Sequence, residues 1–299
     1  MTISAATKTS DFAGFLQPHM AQDYFAEVQR RSVVQQLARK VPLSIAGETV
    51  PIVSSKPTAG WVVEAAQKPA TKGGLSLLTM EPKKIAAIAV VSSEVVRANP
   101  GNYVNIFREE IAAAFAAAFD AAVLHGTGSP FDHNIDETSK SVELGTAEAA
   151  SGGIVGDLTD GLSKLVKEGK RVTGWAFDSV AEPLLLGSYD TTGRPLLVDP
   201  VYSDSALASA RLLGRSAYMG DGVATTDKTS VVGYGGDWSK VVWGQVGGIK
   251  FDVSTQATVT IGGQLTSLWE NNLVAILAET EYGCLIADTD SFVKLANAS

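Results

Sequence analysis

Two histidines and two aspartates near the middle of the chain have side chains that could take part in metal or acid–base chemistry. His125 and His133 flank a short polar stretch that also contains Asp132 and Asp136. Imidazole and carboxylate groups are ligands for zinc, but this stretch lacks the helix or hairpin spacing that zinc sites use. We therefore expect these side chains to be polar groups on a surface loop, without a bound metal or cofactor.

Other acidic residues have weaker patterns. Asp288 and Asp290 resemble the start of a calcium-binding loop, but the glycine at loop position six and the acid at position twelve are absent, which favours a turn. Glu64, Glu94 and Asp120 are isolated acids on structured segments. We interpret these three as members of ion pairs.

The short motifs of common catalytic chemistry are absent. The chain has no G-x-S-x-G, H-E-x-x-H, G-x-x-x-x-G-K-[ST] or helix-opening G-x-G-x-x-G. The glycine-rich stretches GYGGDW and GQVGGIK lie between strand-like runs and are interpreted as tight β-turns. Cys284, the single cysteine, lies in the apolar run GCLIA and is predicted to be a buried hydrophobe. The sequence therefore does not indicate an enzyme.

The composition indicates an ordinary folded protein with an anionic surface. The 299 residues are 45% hydrophobic and 19% charged, with a formal net charge of -8. A protein that binds nucleic acid through its phosphates would show a basic excess or stripe. The N-terminus lacks an apolar signal region, and no apolar run reaches the roughly 18 residues of a membrane span. We expect a soluble protein made in the cytoplasm, with no membrane contact.

A long excursion between Ser44 and about residue 82 is the most informative element. Strand-type residues occupy two stretches, 43–54 and 61–67, with lysine, glycine and proline around them, and 75–80 leads the chain back. The excursion is too long for a tight turn and too polar at its tip for a core. We predict a two-stranded arm that reaches a neighbouring subunit.

The strongest helix prediction covers residues 103–124. Apolar residues recur there every four positions and alanine fills the faces between them, with Asn102 as the predicted N-cap and Gly126 as the predicted C-cap. Shorter helices are predicted at 20–40, ending before Pro42, and at 158–169. Residues 131–152 are predicted to be loop, and the sequence from 214 onward is rich in strands. Without regular βαβ alternation, the order of elements favours an α+β fold.

These pieces occur in the order found in the HK97-type major capsid proteins of tailed bacteriophages, which the chain resembles from about Gln22 to Leu295. The resemblance is carried by Trp61, Glu64 and Pro69 in the arm, and then by MEPKKIAAIAVVSSEVV, EEIAAAFAAAFDAAVLHGTGSP, GRPLL, GDWSKVVWGQVGGIKFDVS and NNLVAILAETEYGCLIADTDSFVKL. It implies an HK97-like capsid fold of the α+β class.

The resemblance also implies a division of the chain. Residues 1–46 would form an N-terminal arm and first helix, and 47–82 the extended loop. Residues 83–150 would form the peripheral domain with its spine helix at 103–125, 151–262 the axial domain, and 263–299 the C-terminal strands that return to both.

The implied function is self-assembly into hexamers and pentamers of an icosahedral shell, the virion capsid, which encloses double-stranded DNA without sequence-specific binding. The shell would form in the host bacterial cytoplasm. Expected partners are further copies of the chain, a portal protein at one vertex and a decoration protein. Because the chain begins at Met1 without a coiled-coil segment, we expect either a separate scaffolding protein or none. The alternatives are an encapsulin, a nanocompartment of the same fold, and, more remotely, an α+β hydrolase or binding protein.

Finally, the resemblance implies inter-subunit contacts in the arm, at Trp61, Glu64, Lys68 and Lys72. The type member joins an arm lysine to an asparagine by an isopeptide bond, helped by a glutamate seven residues further on. Asn272 and Glu279 have that spacing here, and Lys68 and Lys72 lie in the arm. The simpler interpretation is that Asn272 and Glu279 make structural hydrogen bonds, and both interpretations stay open at this point.

Overall fold

A computed structural model describes residues 32–55, 57–64, 67–68, 70, 73–98, 103–126, 128–148, 152–187, 209–220, 222–224 and 231–297. The predictions for residues 1–31, Asn102 and Lys72 lie outside this set. Within it, no helix combines the length and apolar character that a membrane span requires.

The helices of the described residues are α1 (Val33–Leu37), α2 (Ser93–Ala98), α3 (Tyr103–Leu124), α4 (Ile154–Lys167) and α5 (Glu182–Leu186). The strands are β1 (Arg39–Lys40), β2 (Glu48–Ser55), β3 (Gly74–Met80), β4 (Lys83–Ser92), β5 (Ser141–Leu144), β6 (Gly174–Phe177), β7 (Ser209–Leu212), β8 (Arg215–Met219), β9 (Val231–Gly236), β10 (Val241–Ser254), β11 (Thr258–Ile261), β12 (Gln264–Ser267), β13 (Leu273–Ile286) and β14 (Phe292–Asn297). This mixture confirms the α+β class.

A four-stranded sheet supports the long helix. Its order is β1-β10-β13-β4, and β13 pairs antiparallel with both β10 and β4. The predicted spine helix is present as α3, and Ile111 and Phe115 pack on Ala278 of β13. The four-residue spacing of the apolar side chains explains this contact, because it keeps them on one face. With 22 residues, α3 is about 33 Å long.

A six-stranded sheet forms the second half of the body, in the order β5-β14-β9-β6-β8-β7. Helix α4 packs on it, and Leu158 and Leu165 of α4 share a buried cluster with Val293 of β14. Two predictions change here. The helix predicted at 158–169 is α4 and begins earlier, at Ile154. The region 131–152, predicted to be loop, contains β5, which was missed because four residues are too few for a reliable alternation signal.

The glycines of GYGGDW are not a turn, and that prediction was wrong. Gly233 and Gly235 lie inside β9, next to β6. A Cβ atom on Gly233 would lie 2.6 Å from Cδ1 of Phe177, and one on Gly235 would lie 2.3 Å from Cζ3 of Trp175. Both aromatic side chains are completely buried, so they fill the space that side chains on β9 would need. Glycine is present here because a neighbouring strand is bulky.

The second glycine-rich stretch, GQVGGIK, is also not a turn between strands. It lies within β10, where the register with β13 shifts between Val246 and Lys250. Such a shift marks a β-bulge, a usual place for glycine in a strand.

Two hairpins extend the body. Strands β2 and β3 pair antiparallel, which confirms the two-stranded arm. The second leg predicted at 61–67 is not a strand where it is described. The return leg is β3, because strand-type residues form a strand only where a partner strand lies alongside. The other hairpin is β11–β12, and the turn after it leads into β13.

The first helix ends earlier than predicted. Helix α1 ends at Leu37, and Arg39 and Lys40 form β1, which pairs in parallel with β10. The helix therefore ends where the backbone begins to pair with the sheet, several residues before Pro42.

Candidate assembly interface

The arm, residues 48–80, is exposed along most of its length. Leu75 and Leu77 of β3 are 73% and 70% exposed, and Trp61 in the connecting segment is fully exposed. A two-stranded hairpin is at best marginally stable alone in water. An ordered hairpin that exposes large apolar side chains indicates a surface that another protein covers.

The root of the arm packs against two glycines of the four-stranded sheet. Gly244 of β10 pairs with Gly283 of β13. A Cβ atom on Gly244 would lie 2.7 Å from Cβ of Leu43, and one on Gly283 would lie 2.7 Å from Cγ of Met80. The root of the arm, Leu43 with Met80, therefore rests directly on the backbone of the sheet.

The predicted contact residues of the arm lie together on the segment between its strands. Trp61, Glu64 and Lys68 are all exposed there. Lys72 lies outside the described residues. The segment thus presents one indole and charges of both signs to solvent.

Asn272 and Glu279 are held in two different places. Asn272 precedes β13 with φ 54°, and its Nδ2 donates to Oε1 of Glu94. Within the described part of the chain, Glu94 makes this hydrogen bond and not the predicted ion pair. Glu279 lies within β13 and pairs with Lys84 at 2.8 Å. Seven strand residues span about 23 Å. One chain's Asn272 and Glu279 therefore cannot act on the same bond.

Two exposed apolar side chains lie shortly before Asn272 in the chain, and the sequence did not reveal their exposure. Leu265 of β12 and Trp269 are 79% and 76% exposed, whereas Leu268 between them is buried. The backbone N–H of Asn272 donates to the carbonyl of Trp269, which closes the turn. Sequence pattern cannot separate an exposed indole from a buried one in so short a segment.

The histidines predicted as surface groups have different environments. The side chain of His125 is 8% exposed; its Nδ1 lies 3.0 Å from Oδ2 of Asp136 and 2.9 Å from the hydroxyl of Tyr234. His133 is exposed and pairs separately with Glu137 at 2.9 Å. The prediction was therefore wrong for His125, because the residue follows the end of α3 and its ring packs against Tyr234 of β9.

The hydrogen-bonded network at His125 shifts the pKa values of its acidic members. The hydroxyl of Tyr234 donates to Oδ1 of Asp136 at 2.8 Å. Burial acts to raise the pKa of Asp136, but hydrogen bonds from His125 and Tyr234 outweigh it and hold the pKa below its ordinary value. Burial, and then the charge of Asp136, raise the pKa of Tyr234. Among the described residues, no three His, Cys, Asp or Glu side chains are grouped to hold a metal ion.

Among the described residues Asp120 has no ion-pair partner, contrary to prediction. It is buried on α3 and accepts hydrogen bonds from the backbone N–H groups of Val33 and Val34 and from the hydroxyl of Ser32. These groups lie at the N-terminus of α1, where backbone N–H groups have no partner within the helix. The Asp120 carboxylate on α3 therefore supplies the hydrogen-bond acceptor for the first turn of α1. Burial raises the pKa of Asp120 to about 7, and the three hydrogen bonds act in the opposite direction.

The remaining candidates are structural. Asp288 accepts from the backbone N–H of Asp290 and pairs with Lys170, and the 3₁₀ turn there agrees with the predicted turn. Burial raises the pKa of the Cys284 thiol to about 12, so little of the reactive thiolate is present at neutral pH.

Comparison with known proteins gives one consistent result. The sequence matches the phage capsid family over residues 13–297. A probable major capsid protein of Mycobacterium phage D29 is 41% identical over 299 residues, which cover 98% of this chain and 93% of the relative. A probable major capsid protein of Mycobacterium phage L5 is 42% identical over 306 residues, covering 98% and 92%.

Solved structures share the fold. A chain from Mycobacterium phage Adephagia has a TM-score of 0.74 at 16% identity, covering 99% of each chain. A chain from Gordonia phage Cozz has a TM-score of 0.71 at 22% identity, covering 97% of this chain and 94% of the other.

Proposed function

This chain belongs to the phage capsid family, and we propose that its two-stranded arm is the element that joins copies into the shell. The chain is a major capsid protein with the HK97-like fold, a structural protein of the virion rather than an enzyme. Its curated relatives reported above are phage proteins, so the encapsulin alternative is not favoured. The observation that supports the role of the arm is its exposed apolar surface, above all at Trp61, Leu75 and Leu77.

Physical reasons favour the arm as the joining element. A shell of identical copies needs contacts between two different surfaces of the chain, because such contacts repeat around a ring and close it. A hairpin that crosses a boundary gives a large contact area from few residues. Rings of six and five copies would then be the hexamers and pentamers of the shell.

The two sheets support two structural units. In this proposal the four-stranded sheet with α3 would belong to the peripheral domain, expected at 83–150, and the six-stranded sheet to the axial domain, expected at 151–262. The chain crosses between them more than once, because β5 pairs in the six-stranded sheet and β10 in the four-stranded sheet. We therefore propose that each domain follows its sheet, with residues 263–299 contributing strands to both.

Other partners are proposed on chemistry alone. A net charge of -8 opposes adhesion to packaged DNA, in keeping with enclosure without sequence-specific binding. A portal protein at one vertex, a separate scaffolding protein and a decoration protein complete the proposed set.

A covalent contact is proposed as well. The Nζ atom of an arm lysine, Lys68 or Lys72, would attack Cγ of Asn272 in a second copy, and the bond from Cγ to Nδ2 would break to release ammonia. Glu279 would move the proton from the lysine to the leaving nitrogen. Because Asn272 and Glu279 of one chain lie about 23 Å apart along the strand, this glutamate would come from another copy. The exposure of Asn272 and its contact with Glu94 support the proposal, since they orient its carboxamide at the surface.

The direct test shortens the arm. Residues 57–72 are replaced by a short glycine-serine turn that keeps β2 and β3 paired, and purified wild-type and shortened proteins are compared by negative-stain electron microscopy. We expect shells or capsomer rings from the wild type and dispersed, folded monomers from the variant. Normal shells from the shortened protein would refute the role of the arm.

A further inference from the structure

We propose that the outer edge of β4 pairs with the same edge of a second copy, antiparallel and about a two-fold axis, so that two four-stranded sheets become one. The inference rests on the rings proposed above, and it names a contact between neighbouring rings. It is separate from the arm contact, which joins the copies within a ring.

The outer edge of β4 is long and regular. The strand is the last of its sheet and pairs with β13 over ten consecutive residues without a register shift. Within the described residues, no strand lies on its other side, and residues 84–91 make no backbone hydrogen bond outside the ladder with β13. Alternate N–H and C=O groups of β4 therefore face outward, ready to pair with another strand.

This edge lacks the features that normally keep edge strands from pairing. Such strands are usually short, bulged, or interrupted by charge or proline. Residues 85–91 of β4 read IAAIAVV, without a charge or a proline. By contrast, the edge strands of the six-stranded sheet, β5 and β7, have four residues each, and a register shift interrupts β10. An uncharged edge of this length would associate in solution, so we expect the assembly to cover it.

The space beside β4 is open. Ile88 in the middle of the strand is 45% exposed. A groove runs beside the first residues of β4, lined by Ile85 and, on the helix side, by Ala118 and Ala122 of α3. The small alanine side chains leave this groove unfilled. The described part of the chain therefore leaves room for a strand next to β4 at this end.

The sequence of β4 suits pairing with itself. In an antiparallel pair centred on Ile88, this residue faces its own copy, Ala86 faces Val90, and Lys84 faces Ser92. No like charges meet, and apolar side chains face apolar side chains. Paired positions are separated by an even number of residues, so their side chains lie on the same face of the joined sheet.

Symmetry favours a second β4 as the occupant. Neighbouring rings of an icosahedral shell meet at two-fold axes, and a two-fold contact requires a surface that fits itself. The arm contact joins two different surfaces, so it closes a ring but does not supply the two-fold contact. Strand β3 of a second copy's arm could also lie on an open edge, but that contact would again join two different surfaces.

The test uses one introduced cysteine. Ile88→Cys is made in a Cys284→Ala background, and assembled shells are treated with a mild oxidant. Facing residues of antiparallel strands have Cα atoms about 4.5–5.5 Å apart, which a disulfide spans. We expect a band at twice the chain mass that disappears with reductant, since identical positions face each other only across a two-fold axis. Val166→Cys, at another exposed apolar position, is the control and should give no such band.

The outcomes separate this pairing from the arm contact. Ile88→Cys shells that give no reducible dimer would overturn the pairing, while the presence of shells would leave the arm contact standing. A dimer that appears only when Ile88→Cys is combined with Leu77→Cys would mean that the arm occupies the edge, and would also overturn it. Ala87→Cys alone should not cross-link, whereas Ala87→Cys with Ala89→Cys should, because these positions face each other in the proposed register.

A charge at the centre of the pair gives an independent measure. Ile88→Lys places two like charges opposite each other, so the yield of sedimenting shells should fall about tenfold or more. The variant should keep the wild-type circular dichroism spectrum, since the side chain is partly exposed, and electron microscopy should show separate rings. Val166→Lys is the matched control and should assemble normally. Normal shells from Ile88→Lys would refute the proposal.

Discussion

Oδ2 of Asp120 on the spine helix accepts a 2.8 Å hydrogen bond from the backbone N–H of Val33, which lies 87 positions earlier in the chain. Val34 and Ser32 donate to the other carboxylate oxygen. This single side chain therefore fastens the beginning of α1 to α3. The connection matters because it ties the first described residues of the chain to the spine helix.

Removal of the Asp120 carboxylate should destabilise the subunit. Asp120→Ala leaves two buried backbone N–H groups without an acceptor, which should lower the free energy of unfolding by about 2 kcal/mol or more. Urea unfolding of the arm-shortened, unassembled protein would measure the change. Asp160→Ala, which removes an exposed acid paired with Lys164, is the control and should cost under about 0.5 kcal/mol. Equal effects of the two substitutions would contradict the role given to Asp120.

The same carboxyl should make stability depend on pH. Its pKa is about 7 in the folded chain and near 4 in an unfolded one. A group whose pKa is raised by folding adds stability that is complete below the unfolded pKa and is lost as the pH rises through the folded pKa. The wild type should therefore lose stability relative to Asp120→Asn between pH 4 and 8, by up to roughly 4 kcal/mol. Unfolding curves of the two proteins that stay parallel over this range would rule out the effect.

The glycines of β9 should not tolerate even a methyl group. Gly235→Ala would place Cβ 2.3 Å from the ring of Trp175, and the buried ring has little room to move. We expect a loss of about 3 kcal/mol or more, or a chain that fails to fold. Gly161→Ala is the matched control, since its Cβ would meet Val142 at an ordinary 3.5 Å and it lies within a helix.

The melting temperatures of the two glycine variants should shift in opposite directions from that of the wild type. Gly161→Ala should raise the melting temperature slightly, because alanine is favoured over glycine in helices by about 1 kcal/mol. A companion double variant, Gly235→Ala with Trp175→Leu, should recover part of the loss. Without any recovery, the clash with Trp175 would not be the cause.

Boiling purified shells in SDS tests the covalent contact. The wild type should run as a ladder of linked chains, and Asn272→Asp should run as a monomer, since that carboxylate has no amide group to release. Asn271→Asp changes the neighbouring residue in the same way and should keep the ladder. A clean monomer band from wild-type shells would end the proposal.

The parts of the fold that depend on residues close together in the sequence were predictable. The four-residue spacing of Ile111, Phe115 and Phe119 fixes one helix face, and α3 is present as predicted. The arm was predictable because its strand-type residues and turn residues lie close in sequence. Its second strand was misplaced, since Trp61 to Val63 have strand propensity but no partner strand.

The features that were missed depend on distant neighbours. Gly235 is explained by Trp175, which lies 60 positions away, and Asp120 by a backbone segment 87 positions away. Neither relationship leaves a local mark in the sequence. The exposure of Trp269 was missed for the same reason, because an aromatic residue beside a short hairpin is equally compatible with a core.

The glycine pair beneath the arm has a consequence for the geometry of a curved shell. In the proposed shell, copies in rings of five and rings of six would meet their neighbours at different angles, although their sequences are identical. Methionine is the most adaptable of the apolar side chains, and at Gly283 the Met80 side chain lies against bare backbone instead of interlocking with a side chain. The root can therefore act as a pivot, so that the change of angle is absorbed between the arm and the sheet while both keep their internal pairing.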